Sequence, residues 1–212
     1  RRQVSMTYRR GRLFVDGISM AAAADRFGTP LYIYSKRAVQ EAFSRLARAF
    51  KKADPIICYA MKANPNRRIC GLLAGMGAGA EVVSGGELGR ALAAGFPPGK
   101  TVFSGVGKTE SELRLALKAG ILAVNVESEG ELDLLEAVAR RLGRKASFAV
   151  RLNPGVDART HAHVTTGTAT TKFGVEKPQA FRMYLWAAKS RHLRPLGIHC
   201  HIGSQVTTVG PY

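Results

Sequence analysis

Lys62 stands directly behind Ile56-Ile57-Cys58-Tyr59-Ala60-Met61, an apolar run that reads as a buried strand. A lysine closing such a strand sits at the end of a sheet, where α/β enzymes keep their reactive groups. Its amine attacks aldehydes and imines only when neutral, and burial or nearby cations lower its pKa from about 10.4 toward that state. Other groups with chemistry recur at matching places: Ser84, Ser104, Asn125, Arg151 and His201 each close an apolar stretch. His199 lies two positions before His201, so on one strand both rings point the same way. The bland alternatives are a packed core histidine at 199 and a structural ion pair at Arg151. Two His-x-His pairs, 161/163 and 199/201, have the spacing of a zinc site. No nearby carboxylate supports it, and the expectation is that no metal is used.

The elements that must position these groups follow from periodicity. Lys36–Lys51 carries Val39, Phe43, Leu46 and Phe50 at intervals of three and four, a helix capped by Ser35. A short strand is expected at Leu31–Tyr34 before it and another at Ile56–Met61 after it. The alternation continues with a helix near Arg67–Met76, strand Ala80–Ser84, helix Glu87–Ala94, strand Thr101–Ser104 and helix Glu110–Lys118 behind Thr109. Strand Ile121–Asn125, helix Glu129–Leu142 behind Ser128, strand Phe148–Leu152, helix Gln179–Lys189 and strand Leu196–Cys200 complete it. The strands are continuous apolar runs, as expected of a parallel sheet covered by helices. Gly75-Met76-Gly77-Ala78-Gly79 follows a helix, so it is a helix-stop loop and not a dinucleotide fingerprint.

Two α/β architectures accept this pattern, an open doubly wound sheet and a (β/α)8 TIM-like barrel. Reactive residues at nearly every strand end favour the barrel. Residues 31–212 are expected to supply roughly six of its eight units, making this the front part of a longer protein. Residues 1–30 differ: Arg12–Gly17 reads as strand and turn and Ser19–Phe27 as a short helix, a segment of a separate β-rich domain.

Composition narrows the class. A surplus of 32 Lys+Arg over 15 Asp+Glu gives +17, which on its own suggests nucleic acid. The basic residues are scattered over helices, however, with no zinc-finger or RNP-like pattern, so no nucleic-acid partner is expected. No apolar run is long enough to span a membrane, and the N-terminal residues lack a signal-peptide core. Cys58, Cys70 and Cys200 are odd in number and lack C-x-x-C spacing, which fits a reducing cytoplasm.

Tyr59-Ala60-Met61-Lys62-Ala63-Asn64 resembles the cofactor-lysine motif of the alanine racemase-like (fold III) pyridoxal-phosphate decarboxylases. Three further stretches narrow the resemblance to the branch acting on diaminopimelate. They are Glu81-Val82-Val83-Ser84-Gly85-Gly86-Glu87-Leu88, the run from Arg151 through Asp157, Thr160-His161 and Thr166-Gly167 to Lys172-Phe173-Gly174, and Gly197-Ile198-His199-Cys200-His201-Ile202-Gly203-Ser204-Gln205. The resemblance implies pyridoxal 5'-phosphate held by Lys62 as a Schiff base and meso-2,6-diaminopimelate decarboxylated to L-lysine and CO2. It further implies His201 stacked on the cofactor ring, Arg151 near its phenolic side, Glu81 near the lysine, and Gly203 and Ser204 beside the phosphate. His161 and Lys172 would belong to a substrate-side loop, and the enzyme would be a cytoplasmic homodimer with shared active sites. A glycine-rich phosphate loop and an acidic partner for the pyridine nitrogen are expected beyond Tyr212, so these residues alone should not turn over substrate. Related decarboxylases of arginine, ornithine or lysine, and a non-catalytic pyridoxal-phosphate-binding barrel, are the other readings.

Overall fold

The structure, a computed structural model, describes residues 6–156, 173–204 and 206–211. Its first part is an antiparallel meander of β1 (Met6–Arg9), β2 (Arg12–Val15) and β3 (Ile18–Ser19). Both hairpins turn on two residues at positive φ, Arg10-Gly11 and Asp16-Gly17. That is the conformation whose twist matches paired strands, and Asp-Gly is among its commonest sequences. Helix α1 (Met20–Phe27) follows, capped by Ser19. The turn then ties back to the next helix: Asp16 accepts from the Ser35 hydroxyl at 2.7 Å and pairs with Arg37 at 3.2 Å.

From α2 (Lys36–Ala49) onward the chain alternates strand and helix. The order is β4 (Cys58–Ala60), α3 (Arg67–Gly75), β5 (Gly79–Val82), α4 (Gly85–Ala93), β6 (Thr101–Phe103) and α5 (Glu110–Ala119). It continues with β7 (Ala123–Val126), α6 (Glu129–Arg141), β8 (Ala146–Arg151), α7 (Lys177–Lys189) and β9 (Leu193–His199). The six strands are parallel and lie in sequence order, β4-β5-β6-β7-β8-β9, with no reversal. Right-handed crossovers that always step in one direction put every connecting helix on the same face. The sheet is therefore a wall of a (β/α) barrel and not a doubly wound sheet, whose strand order must reverse.

Two apolar clusters seat the helices on this wall. Met61, Leu88, Phe96 and Phe103 anchor the first, and Leu113, Leu132, Phe148 and Met183 the second. All are essentially removed from water, and each such side chain contributes about 1.5–3 kcal/mol. Gly79 marks the tightest strand packing: a Cβ there would lie 2.0 Å from the Lys100 carbonyl oxygen. Serine or threonine hydroxyls cap α2, α4, α5 and α6, as Ser35, Ser84, Thr109 and Ser128.

One expected element is absent. Leu31–Tyr34 forms no strand; Tyr32 is 85% exposed and the segment has no ladder partner among the described residues. β-branched and aromatic content favours a strand only where a neighbouring edge accepts the backbone hydrogen bonds. Strand β4 is also shorter than the expected Ile56–Met61: it begins only at Cys58, and at its far end Met61–Ala63 tightens into one 3-10 turn.

Candidate active site

The turn that shortens β4 also presents Lys62. Met61 is fully buried beneath it, against the Cys70 sulfur at 3.7 Å. On its far side Asn64 accepts from the Asn66 N–H at 3.0 Å, while the Tyr59 hydroxyl donates to the Asn64 carbonyl at 3.1 Å. With both flanks fixed, Lys62 is left at the rim of a cavity of about 300 Å3 at the C-terminal ends of the strands. Glu81, Arg151, His199, His201 and Ser204 line the same cavity. Register explains the convergence: Glu81 pairs with Ala60 across β4 and β5, and Arg151 with His199 across β8 and β9. A larger depression of about 960 Å3 lies between α2 and α3. It sits outside the wall and gathers no comparable set of reactive groups, so volume does not locate the chemistry.

Charge in the cavity is arranged around Arg151. Its guanidinium donates to Glu127 Oε1 at 2.8 Å and lies over the Phe173 ring at 5.2 Å from the centroid. Arg151 and Glu127 are both largely removed from water, with side chains 11% and 3% exposed. Burial pushes His199 down to about 4, reinforced by the positive charge of Arg151. His201 is lowered for the same two reasons, with Lys62 adding to the effect. Both rings are therefore neutral near pH 7. Around this cavity the buried His199 Nδ1 and Glu127 Oε2 find no hydrogen-bond partner among the described residues, a state that costs free energy unless a ligand or solvent meets them.

The sequence-predicted residues divide accordingly. Lys62, Glu81, Arg151, His201 and Ser204 come together, and His199 joins them. Gly203 is buried between His201 and Ser204 with φ +144°, a backbone region that favours glycine. Ser84 is turned to capping α4, accepting from the Glu87 N–H. Asn125 donates to the Ser104 hydroxyl at 2.9 Å, so both ends serve the wall, with Ser104 also at the cavity. His161 and Lys172 lie outside the described residues. The described residues form no metal-holding group of three or more His, Cys, Asp or Glu.

Glu127 and Phe173 were not singled out from sequence. A carboxylate two positions beyond Asn125, on the same strand-end path, was the available signal for Glu127. Phe173 stood within the Lys172-Phe173-Gly174 stretch but was given no role there.

The donor set suits a planar aldehyde-bearing cofactor with an acidic ring oxygen: a primary amine, a paired arginine, neutral imidazoles and a hydroxyl around one cavity. Comparison with known proteins agrees. Residues 36–212 match the family described as "Pyridoxal-dependent decarboxylase, pyridoxal binding domain". The diaminopimelate decarboxylase of Aquifex aeolicus is 49% identical over 98% of this chain and 49% of its own length. Among solved structures, the diaminopimelate decarboxylase of Helicobacter pylori complexed with L-lysine superposes with TM-score 0.88 at 46% identity, over 90% of this chain and 48% of that one. The enzyme from M. jannaschii in co-complex with L-lysine gives 0.91 at 39% identity, over 98% and 50%. The chain spans about half the length of the curated relatives it matches. With its wall of parallel strands and its lysine-centred cavity, it belongs to the pyridoxal-dependent decarboxylases and carries their pyridoxal-binding domain.

Proposed function

We propose that the whole protein decarboxylates meso-2,6-diaminopimelate to L-lysine and CO2, using pyridoxal 5'-phosphate bound at Lys62. The observation that carries this reading is the shared cavity of Lys62, Arg151, His201 and Ser204 at the C-terminal strand ends. When bound, the pyridoxal ring supplies the electron sink for the bonding pair that remains as CO2 departs. The amine of Lys62 would hold the cofactor aldehyde until the substrate amine takes its place. His201 would lie against the ring without adding a competing charge. Arg151, steadied by Glu127, would face the phenolic oxygen, and the Ser204 hydroxyl would donate to the phosphate with Gly203 allowing close backbone approach. Glu81 lines the same cavity as Lys62 and would put a carboxylate on the lysine's side of it.

Residues 1–30 would belong to a separate β-rich domain and residues 31–212 to the barrel. His161 and Lys172 would act on a substrate-side loop. The enzyme would be a cytoplasmic homodimer with active sites completed across the interface. The substrate is named from the relatives: those solved from H. pylori and M. jannaschii are diaminopimelate decarboxylases crystallised with L-lysine. The test is an assay of the full-length protein with meso-diaminopimelate beside arginine, ornithine and lysine, reading CO2 and the amine product. Lysine formed from diaminopimelate is expected; turnover only of the other three would overturn the substrate.

A further inference from the structure

The cavity wall rests on a lysine that the chemistry above does not use. Lys108, on the loop between β6 and α5, has a side chain only 1% exposed. Its ammonium donates to the carbonyls of Gly105 at 2.7 Å and Asn125 at 2.8 Å, and pairs with Glu131 Oε1. Gly105, with Val106, lines the cavity, and Asn125 belongs to the end of β7. The other oxygen of Glu131 accepts from the backbone N–H of Glu127 at 2.8 Å. Glu127 in turn holds Arg151. One buried ammonium thus joins the end of β7, the loop after β6 and the carboxylate that steadies the cavity's arginine.

The neighbouring unit supplies an internal comparison. Ser84 and Glu87 open α4 as Ser128 and Glu131 open α6: the serine caps, and the glutamate reaches back to the N–H before it, at Val83, at 2.9 Å. Glu87 makes that contact without an ion pair among the described residues. Capping therefore does not require a lysine, and Lys108 is an addition at the end of β7, beside the strand that carries Arg151.

We propose that Lys108 and Glu131 are a positioning pair that fixes Glu127, and through it Arg151, together with the Gly105–Val106 wall, for cofactor binding. The proposal rests on the reading of this cavity as the pyridoxal phosphate site. Two variants of the full-length protein test it. Lys108→Met leaves Glu131 unpaired, whereas Lys108→Met combined with Glu131→Gln removes both charges and keeps an acceptor for the Glu127 N–H. Titration with pyridoxal phosphate, followed by its visible absorbance, gives affinity and the pH midpoint of the bound band. Amide hydrogen exchange of residues 104–107 and 126–128 reports the wall without cofactor. The double variant is expected to melt cooperatively, to bind the cofactor at least about tenfold more weakly, the lower end of what losing an outer partner costs at metal sites, and to shift the pH midpoint. Exchange should quicken in both segments. Unchanged affinity, midpoint and exchange in a cooperatively melting double variant would overturn the pair's role. If the wild-type protein shows no band that depends on Lys62, the functional reading fails instead, and the exchange result alone decides whether the pair holds the wall.

Discussion

Arg151 and Glu127 carry opposite charges into a largely dry wall, and each is tolerable there because of the other. Removing one partner of such a pair strands the second, at a cost of about 3–5 kcal/mol. Arg151→Met is therefore expected to lower unfolding free energy by about 3 kcal/mol in urea titration, and to weaken pyridoxal phosphate binding as well. His199 makes a different prediction. Its folded pKa, about 4, lies below the unfolded value, so between those two pH values the unfolded chain binds more protons. Stability is then lost as pH falls from about 6.5 toward 4. His199→Asn should flatten that part of the stability–pH profile relative to wild type; an identical slope would contradict the neutral, buried ring. These roles were partly legible. Lys62 and His201 close apolar runs and announce themselves, whereas Glu127 becomes significant only once β7 and β8 lie side by side.

Among the elements, caps and turns were the most readable features, because their chemistry is local. Ser35, Thr109 and Ser128 each accept the backbone N–H that their position demands. At Thr109 a reciprocal capping box forms, and Glu112 also accepts from Gly85 of the preceding unit at 2.8 Å. Those N–H groups, Thr109 first, hold the Glu112 carboxyl below its ordinary value. Thr109→Ala should cost about 1 kcal/mol by chemical denaturation. Gly79→Ala should be far more damaging, since the new methyl would meet the Lys100 backbone first and the Cys58 sulfur behind it; a near-neutral result would contradict the packing of β5 on the segment before β6. Leu31–Tyr34 shows the limit of local reading. Its residue types suit a strand, but pairing is a property of a neighbour, which no window of sequence displays.

At the scale of the whole molecule, the sequence order of the strands decides the architecture. Six strands stepping one way curve a single wall with helices outside and strand ends converging, and that convergence brings Lys62 within one cavity of residues about 140 positions later, at His201 and Ser204. The barrel was foreseeable because reactive residues recurred at strand ends. The antiparallel meander was only half foreseen, through its Asp16-Gly17 turn, because β1 lacks a continuous apolar run. The net charge of +17 told little of function, since the site's own chemistry rests on a few paired groups. The central claim is that Lys62 holds the cofactor. Its most direct test is the visible absorbance spectrum of full-length protein mixed with pyridoxal phosphate, wild type beside Lys62→Ala. The band of the lysine-bound cofactor should appear in wild type and vanish in the variant. Equal bands in both proteins would place the cofactor on another residue and contradict the account.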